Sequence, residues 1–300
     1  MKKNLLIIEN AATWSWGIHI WNLFKGLFAE YHIFRVVRQV GEPFDACLLE
    51  QFNTVLVQNV DTLESVTYKK NLIGRIGGML IKEPLNTRYD SQLSQCSAVI
   101  ATSNELKAIA DRVNKNVHLI PNGVDLKLFC PPAKPVEKKL FTIGFAGNIW
   151  GHGLDYKGYK YVIEASLRMW GEIGIKTCLH AHTQIPHDEM PSRFYHLIDA
   201  LVLPSIGEGC SNVVMEALAC GVPVLLTKVG FHGEMLVDGE NCLFISRDTS
   251  DIIEKIKRLK SDGALRLKLS VNGRAFAEQH HDIKVIAAQY AEIIKTFNKE

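Results

Sequence analysis

Two glutamates, Glu208 and Glu216, lie in the run PSIGEGCSNVVMEALACG at residues 204–221, where their side chains could do carboxylate chemistry. Their spacing carries little by itself, because the chain has 19 glutamates and four pairs with the same separation: Glu42/Glu50, Glu164/Glu172, Glu208/Glu216 and Glu292/Glu300. The surroundings of the third pair set it apart. Pro204 and Ser205 end an apolar strand, and Gly207 and Gly209 flank Glu208, letting the backbone turn sharply. Ser211 is then placed to cap a helix whose first free amides belong to Ser211, Asn212 and Val213. A glycine-flanked turn feeding a helix N-terminus is a prepared anion site, with unpaired N–H groups at the positive end of the dipole. A phosphate held there would put an attached ribose near Glu216, whose carboxylate can accept hydrogen bonds from a diol. The plain alternative is a simple helix cap at Ser211 and a solvated helix-face glutamate at Glu216.

The elements that must position these groups read as α/β architecture, with short apolar runs alternating with segments of helical period. In the first half, 5–8, 54–57, 98–101 and 117–120 are expected strands, and 18–29 and 104–112 helices, the second capped by Ser103. Residues 130–139, CPPAKPVEKK, have three prolines and no periodicity, which is linker chemistry. The alternation restarts with expected strands at 141–146, 176–181, 200–203 and 222–226. Helices are expected at 159–170, 191–197 and 212–219, and two amphipathic helices at 249–260 and 283–297 close the chain. The expected layout is therefore an N-terminal unit over 1–130 and a C-terminal unit over 131–282, with the last helix packing back on the first. A cleft between two such units is the default ligand site.

Composition fits a soluble globular chain: 300 residues, 47% hydrophobic and 22% charged, with 22 glycines and 10 prolines. The net charge of +2 gives no reason to expect nucleic acid. No apolar run is long enough to span a bilayer, and the opening MKKNLLIIEN reads as a first strand rather than a signal segment. The seven cysteines (47, 96, 130, 178, 210, 220 and 242) are odd in number and contain no C-x-x-C, as expected of reduced, mostly buried thiols in a cytoplasmic protein. His180 and His182 share a strand face, but two histidines alone do not make a metal site, and no metal is expected.

Over residues 96–297 the chain resembles the family-four retaining glycosyltransferases of GT-B fold. The resemblance is carried in order by VIATSNELK, LIPNGVDLKLF, FAGNIW followed by DYKG, HDEMPSRFYHLIDALVLPS, GEGCSNVVMEALACGVPVLLTKVG and GEMLVDGENCLF. It implies two Rossmann-like domains with an interdomain cleft and transfer of a hexose-type sugar from a nucleoside-diphosphate sugar with retention of configuration. Residue by residue, Glu216 matches the glutamate that holds the ribose hydroxyls, and Glu208 the one beside the donor sugar. The amides of Ser211, Asn212 and Val213 match those that hold the diphosphate. Lys157 matches the lysine that neutralises it, doing electrostatically what a metal does in other sugar transferases. The base is expected near Ile185, Pro186 and His187.

One departure is plain. The family's usual arginine after the glycine of the strand leading to that lysine is Asn148 here, in a longer loop, so leaving-group stabilisation is expected to be weaker or to be supplemented, with His152, if protonated, or a basic residue of the first unit as candidates. In the N-terminal unit the resemblance thins. Gly17, in WSWGIHIWNL, sits where a glycine-rich loop would approach the phosphates, and Trp14, Trp16 and Trp21 could stack on a sugar or form core. No mid-domain histidine is placed, since neither His19 nor His118 has the right setting. The segment 67–82, with Lys69, Lys70, Arg75 and Lys82 among apolar residues, reads as an exposed loop or acceptor-side segment, with weak peripheral contact to anionic lipid as its membrane reading.

The resemblance thus implies a metal-independent transferase with no cofactor. Its donor is expected to be a UDP-sugar ahead of a GDP-sugar, and its acceptor a glycan or lipid-linked glycan, met in the cytoplasm or at the inner face of the membrane. A non-catalytic nucleotide-sugar binder and a GT-B nucleotide-sugar epimerase remain open alternatives.

Overall fold

Short apolar runs such as Thr54–Val57, Ala98–Ala101 and Ala200–Leu203 are buried on both faces and form parallel strands, as such runs do. The computed structural model describes residues 3–10, 31–38, 54–57, 71–77, 89–134, 136–147, 155–179 and 185–297. The chain divides into two compact units, residues 1–123 with 283–300, and residues 124–282.

The first unit holds a six-stranded sheet of β1 (Lys3–Asn10), β2 (Tyr31–Arg38), β3 (Thr54–Val57), β4 (Leu72–Ile76), β5 (Ala98–Ala101) and β6 (Val117–Leu119), ordered β2-β1-β3-β4-β5-β6 and parallel throughout. The short helix α1 (Asp90–Ser94) and α2 (Asn104–Asp111) follow β4 and β5. Leu93, Leu106 and Ala110 pack with Leu6, Val55, Val57 and Val99 on one face of the sheet. Ser103 caps α2 as expected, its hydroxyl accepting from the Leu106 amide.

The second unit holds a five-stranded sheet of β7 (Phe141–Gly147), β8 (Ile173–Leu179), β9 (Ala200–Leu203), β10 (Val224–Leu226) and β11 (Leu243–Phe244), also parallel and ordered β11-β10-β9-β7-β8. Its helices are α3 (Tyr159–Arg168), the single turn α4 (Met190–Arg193), α5 (Asn212–Ala219), α6 (Gly230–Met235), α7 (Thr249–Ser261) and α8 (Gly263–His280). The last helix, α9 (Ile283–Thr296), lies in the first unit, where Ile286, Tyr290 and Ile294 pack with Leu5, Ile7, Leu56 and Ile100 on the other face of that sheet. No helix among the described residues is long and apolar enough to cross a membrane.

Several expectations need correction. The division falls at Gly123/Val124, not Cys130, because residues 124–130 are anchored in the second unit. There the Val124 amide donates to the His281 carbonyl, Phe129 is fully buried, and Arg274 donates to the carbonyls of Leu126 and Phe129. Residues 72–76 are not an exposed loop but the buried strand β4. Arg75 is 3% exposed, its guanidinium hydrogen-bonded to Asn122 and to the Tyr290 hydroxyl of α9, so it is not available to lipid. Residues 191–197 form no continuous helix, because α4 breaks at Phe194 and the chain tightens into a 3-10 turn at Tyr195–Leu197.

The chain closes with three helices, not two. The buried positions of α8 (Leu265, Leu269, Gly273, Phe276 and Ala277) share one face, but exposed Leu267 and Val271 blur the stripe that would reveal it in the sequence. Strand β2 escaped notice because His32, Arg35 and Arg38 interrupt its apolar run.

Candidate functional site

Two loops frame the site in the second unit, and both leave strands at the point where the sheet reverses its winding. Counted within the unit, the order is 2-1-3-4-5, so β7 and β9 are neighbours whose chains continue to opposite sides. Ligands of open parallel sheets bind outside the carboxyl ends of such strands. The loop after β7 reaches Lys157, and the loop after β9 reaches Glu208.

Each loop is fixed by its own chemistry. Asp155 caps α3 with both carboxylate oxygens, accepting from the Tyr159 amide at 2.8 Å and the Lys160 amide at 2.9 Å. Gly158 stands at the N-cap with φ +77, a left-handed conformation that glycine adopts without penalty. A Cβ there would run into the Pro204 carbonyl, so the absent side chain lets the two loops touch. The Ile206 amide donates to the Tyr156 carbonyl at 2.9 Å across the same seam. Arg247, just after β11, binds the carbonyls of Asp155, Tyr156 and Pro204 with its guanidinium and so clamps both loops.

The structure brings Lys157 and Glu208 together. The ammonium lies 2.5 Å from Glu208 Oε1, with the side chains only 16% and 11% exposed, and the Ser205 hydroxyl donates to the same oxygen at 2.6 Å. A cation so placed can serve a second anion entering beside Glu208, at little reorganisation cost.

Ser211, Asn212 and Val213 form the start of α5. Ser211 holds the N-cap position with extended backbone, but its hydroxyl makes no cap hydrogen bond, which corrects the expectation of a side-chain cap. The leading N–H groups of an α-helix have no acceptor within the helix itself.

Glu216 is no solvated face residue. It is 3% exposed, and its two oxygens have separate donors: His187 Nε2 lies 2.9 Å from Oε1, and the Tyr195 hydroxyl donates to Oε2 at 2.6 Å. Burial opposes charge on His187, but the hydrogen bond and charge of Glu216, aided by Asp188, outweigh it and raise the His187 pKa above 6.5. Burial first, and then Glu216, push the Tyr195 hydroxyl well above the usual tyrosine range, so it stays a proton donor. A carboxylate offers about four lone-pair sites, more than these two donors occupy.

Of the three residues expected near a base, Ile185 and His187 are buried and Pro186 is exposed at the start of the 3-10 turn His187–Glu189. His187 therefore belongs to the Glu216 group. Asn148, Gly17, His152, Trp14, Trp16, Trp21, His19, Lys69, Lys70, Lys82, His180 and His182 lie outside the described residues. His118, in β6, meets Asn116.

Sequence reasoning missed Tyr195 and Arg247. Tyr195 lies inside a run read as one helix, and its only signal is that a buried tyrosine needs a partner for its hydroxyl. Arg247 gives no local signal, because its acceptors lie 43, 91 and 92 positions away in the chain.

Residues 168–276 match the family model Glycosyl transferases group 1, and Glu208, Ser211 and Glu216 fall within that span. The chain is 39% identical over 184 residues to an uncharacterized glycosyltransferase of Methanocaldococcus jannaschii, covering 59% of this chain and 50% of that one. It is 34% identical over 206 residues to a capsular polysaccharide biosynthesis glycosyltransferase of Staphylococcus aureus, covering 60% and 54%. It thus spans about half the length of these curated relatives. The structure is similar to Anabaena HepE, solved with UDP and glucose, with TM-score 0.77 and 16% identity over 98% of this chain and 99% of that one. It is similar also to the sucrose-phosphate synthase of Thermosynechococcus elongatus, with TM-score 0.78 and 16% identity over 98% and 99%. Two parallel-sheet, Rossmann-like units of the GT-B fold are thereby established.

Proposed function

We propose that this protein is a glycosyltransferase that moves a hexose-type sugar from a nucleoside-diphosphate sugar to a glycan or lipid-linked glycan, retaining the anomeric configuration and using no metal in the transfer. The observation that carries this reading is the meeting of Lys157 and Glu208 at the carboxyl ends of β7 and β9, just ahead of the start of α5. The match of residues 168–276 to a glycosyltransferase family model supports it.

In this reading the amides of Ser211, Asn212 and Val213 and the Lys157 ammonium hold the donor's diphosphate. Glu208, braced by Lys157 and Ser205, accepts from hydroxyls of the donor sugar. Glu216 takes the ribose diol on the lone pairs that His187 and Tyr195 leave open, with the base beside Ile185 and Pro186. The bond from the anomeric carbon to the β-phosphate oxygen breaks, and the bond to the acceptor oxygen forms on the same face. The acceptor proton passes to an oxygen of the departing diphosphate. Lys157 stabilises the charge that develops there, and Asn148, being neutral, adds a hydrogen bond at most. UDP is favoured over GDP as the nucleotide, since HepE was solved with UDP.

The test is acceptor-dependent release of nucleoside diphosphate from a panel of UDP- and GDP-sugars, without added divalent metal. Release by the wild type, a loss of at least about 100-fold in Lys157→Met, as expected when a transition-state charge partner is removed, and an unchanged product anomer are expected. Binding without turnover on any acceptor would leave a non-catalytic binder. Conversion of the donor with no acceptor present would indicate an epimerase, and an inverted anomer would reject the front-face route.

A further inference from the structure

Cys210, His232 and His281 come from three separate segments of the second unit: the loop between β9 and α5, helix α6, and the residue that ends α8. They are 4%, 2% and 0% exposed. One ligand atom from each lies within 4.8 Å of the others, and among the described residues this is the one grouping of three or more such side chains close enough to share an ion. None of the three takes part in the transfer site described above.

From this geometry we infer that Cys210, His232 and His281 form a structural site for a divalent ion of borderline softness, Zn²⁺ first. Thiolate and imidazole are the donor set that Zn²⁺ takes in structural sites. The His232 and His281 Nε2 atoms stand 3.2 Å apart. Two imidazole nitrogens on one tetrahedral zinc, each about 2.0–2.1 Å from it, are held at roughly 3.4 Å, so the pair is already near ligand spacing. The thiolate would come to roughly 3.6 Å from each nitrogen, against a present separation of no more than 4.8 Å.

The shell suits a closed site. Phe231 lies edge-on to His232 at 5.8 Å and to His281 at 5.4 Å, and Phe276 to His281 at 5.7 Å. With all three ligands buried and both histidine rings beside phenylalanines, the work assigned to the ion is to join segments, a water completing its tetrahedral shell. Those segments matter: the Phe231 amide donates to the Gly209 carbonyl at 2.7 Å, and Gly230 packs on the carbonyls of Glu208 and Gly209. His281 accepts from the Val124 amide at 2.7 Å, where the chain enters this unit. An ion here would staple the Glu208 loop, α6 and both chain crossings of the unit. The inference does not depend on the reaction proposed above.

The test is elemental analysis of the purified protein, followed by removal of metal and titration with Zn²⁺ and with Co²⁺ as a spectroscopic probe. One equivalent is expected to bind, giving tetrahedral Co²⁺ bands with a thiolate charge-transfer band and a higher melting temperature, as mass action requires of an ion that binds the folded state. Cys210→Ser should lose the charge-transfer band, and His281→Gln should lower the affinity at least tenfold. Should a variant fail to fold, the wild-type stoichiometry and spectrum still decide. No metal uptake by the wild type, or a cobalt spectrum unchanged in Cys210→Ser, would overturn the site.

Discussion

Glu216 is held by two donors of different kinds, and the difference makes its environment measurable. The Tyr195 hydroxyl donates to Glu216, and burial and Glu216 raise its pKa well above the usual tyrosine range. His187 can charge. Its folded pKa is raised above 6.5, so its ionic contribution to stability is fully present below that value and is lost as pH rises through the raised pKa. Replacing it with Gln keeps a donor but removes the charge. The stability deficit of His187→Gln, read from denaturant unfolding, should be about 1.5–3 kcal/mol at pH 6, the range for hydrogen bonds to charged groups, and smaller at pH 8.5. A deficit that is flat or grows with pH would contradict the ion pair.

At the residue scale the sequence was a partial guide. Glu208 and Glu216 stand out in the sequence because glycines, a strand end and a helix start surround them, and Lys157 only through the resemblance carried by DYKG. Their partners Tyr195, His187 and Arg247 were not fully legible. Each meets its counterpart across a long sequence separation, and a long-range hydrogen bond leaves no periodic trace.

Among the elements, the seam between the two loops is the feature that most constrains the site. It closes only because Gly158 lacks a side chain. Gly171 provides a control, with φ +79 against +77 at Gly158, but nothing within 4 Å of where its Cβ would lie. Gly171→Ala should cost the left-handed backbone penalty alone, about 1–2 kcal/mol. Gly158→Ala should cost more, since Pro204 must also move, and should weaken nucleotide binding as Lys157 shifts with its loop. Unfolding and binding measured on both variants check this, and equal costs with unchanged binding would mean that the seam is loose. Strands such as β3, β5 and β9 were fully legible as buried apolar runs. Strand β4 was not, because Gly74 and Arg75 in its middle look like loop chemistry until Asn122 and Tyr290 are seen to satisfy the guanidinium.

For the whole molecule, the second unit carries most of what the sequence shows, and the family match lies entirely within it. The first unit shows its fold through its sheet and through α9, which returns to cover one face. Its chemistry is less legible because the family match lies outside it and its segments carry no glycine-framed turn feeding a helix start like that at 207–213. In the proposed function the second unit binds a nucleoside diphosphate through Lys157, the amides at the start of α5 and Glu216, without metal at that site. Calorimetric titration of UDP and GDP into the purified protein without added divalent ions, beside Glu216→Gln, tests it most directly. One nucleotide should bind, and Glu216→Gln should weaken it at least about tenfold, or about 1.4 kcal/mol, while the fold is retained by circular dichroism. Absence of binding by either nucleotide, or equal affinity in the variant, would contradict the claim.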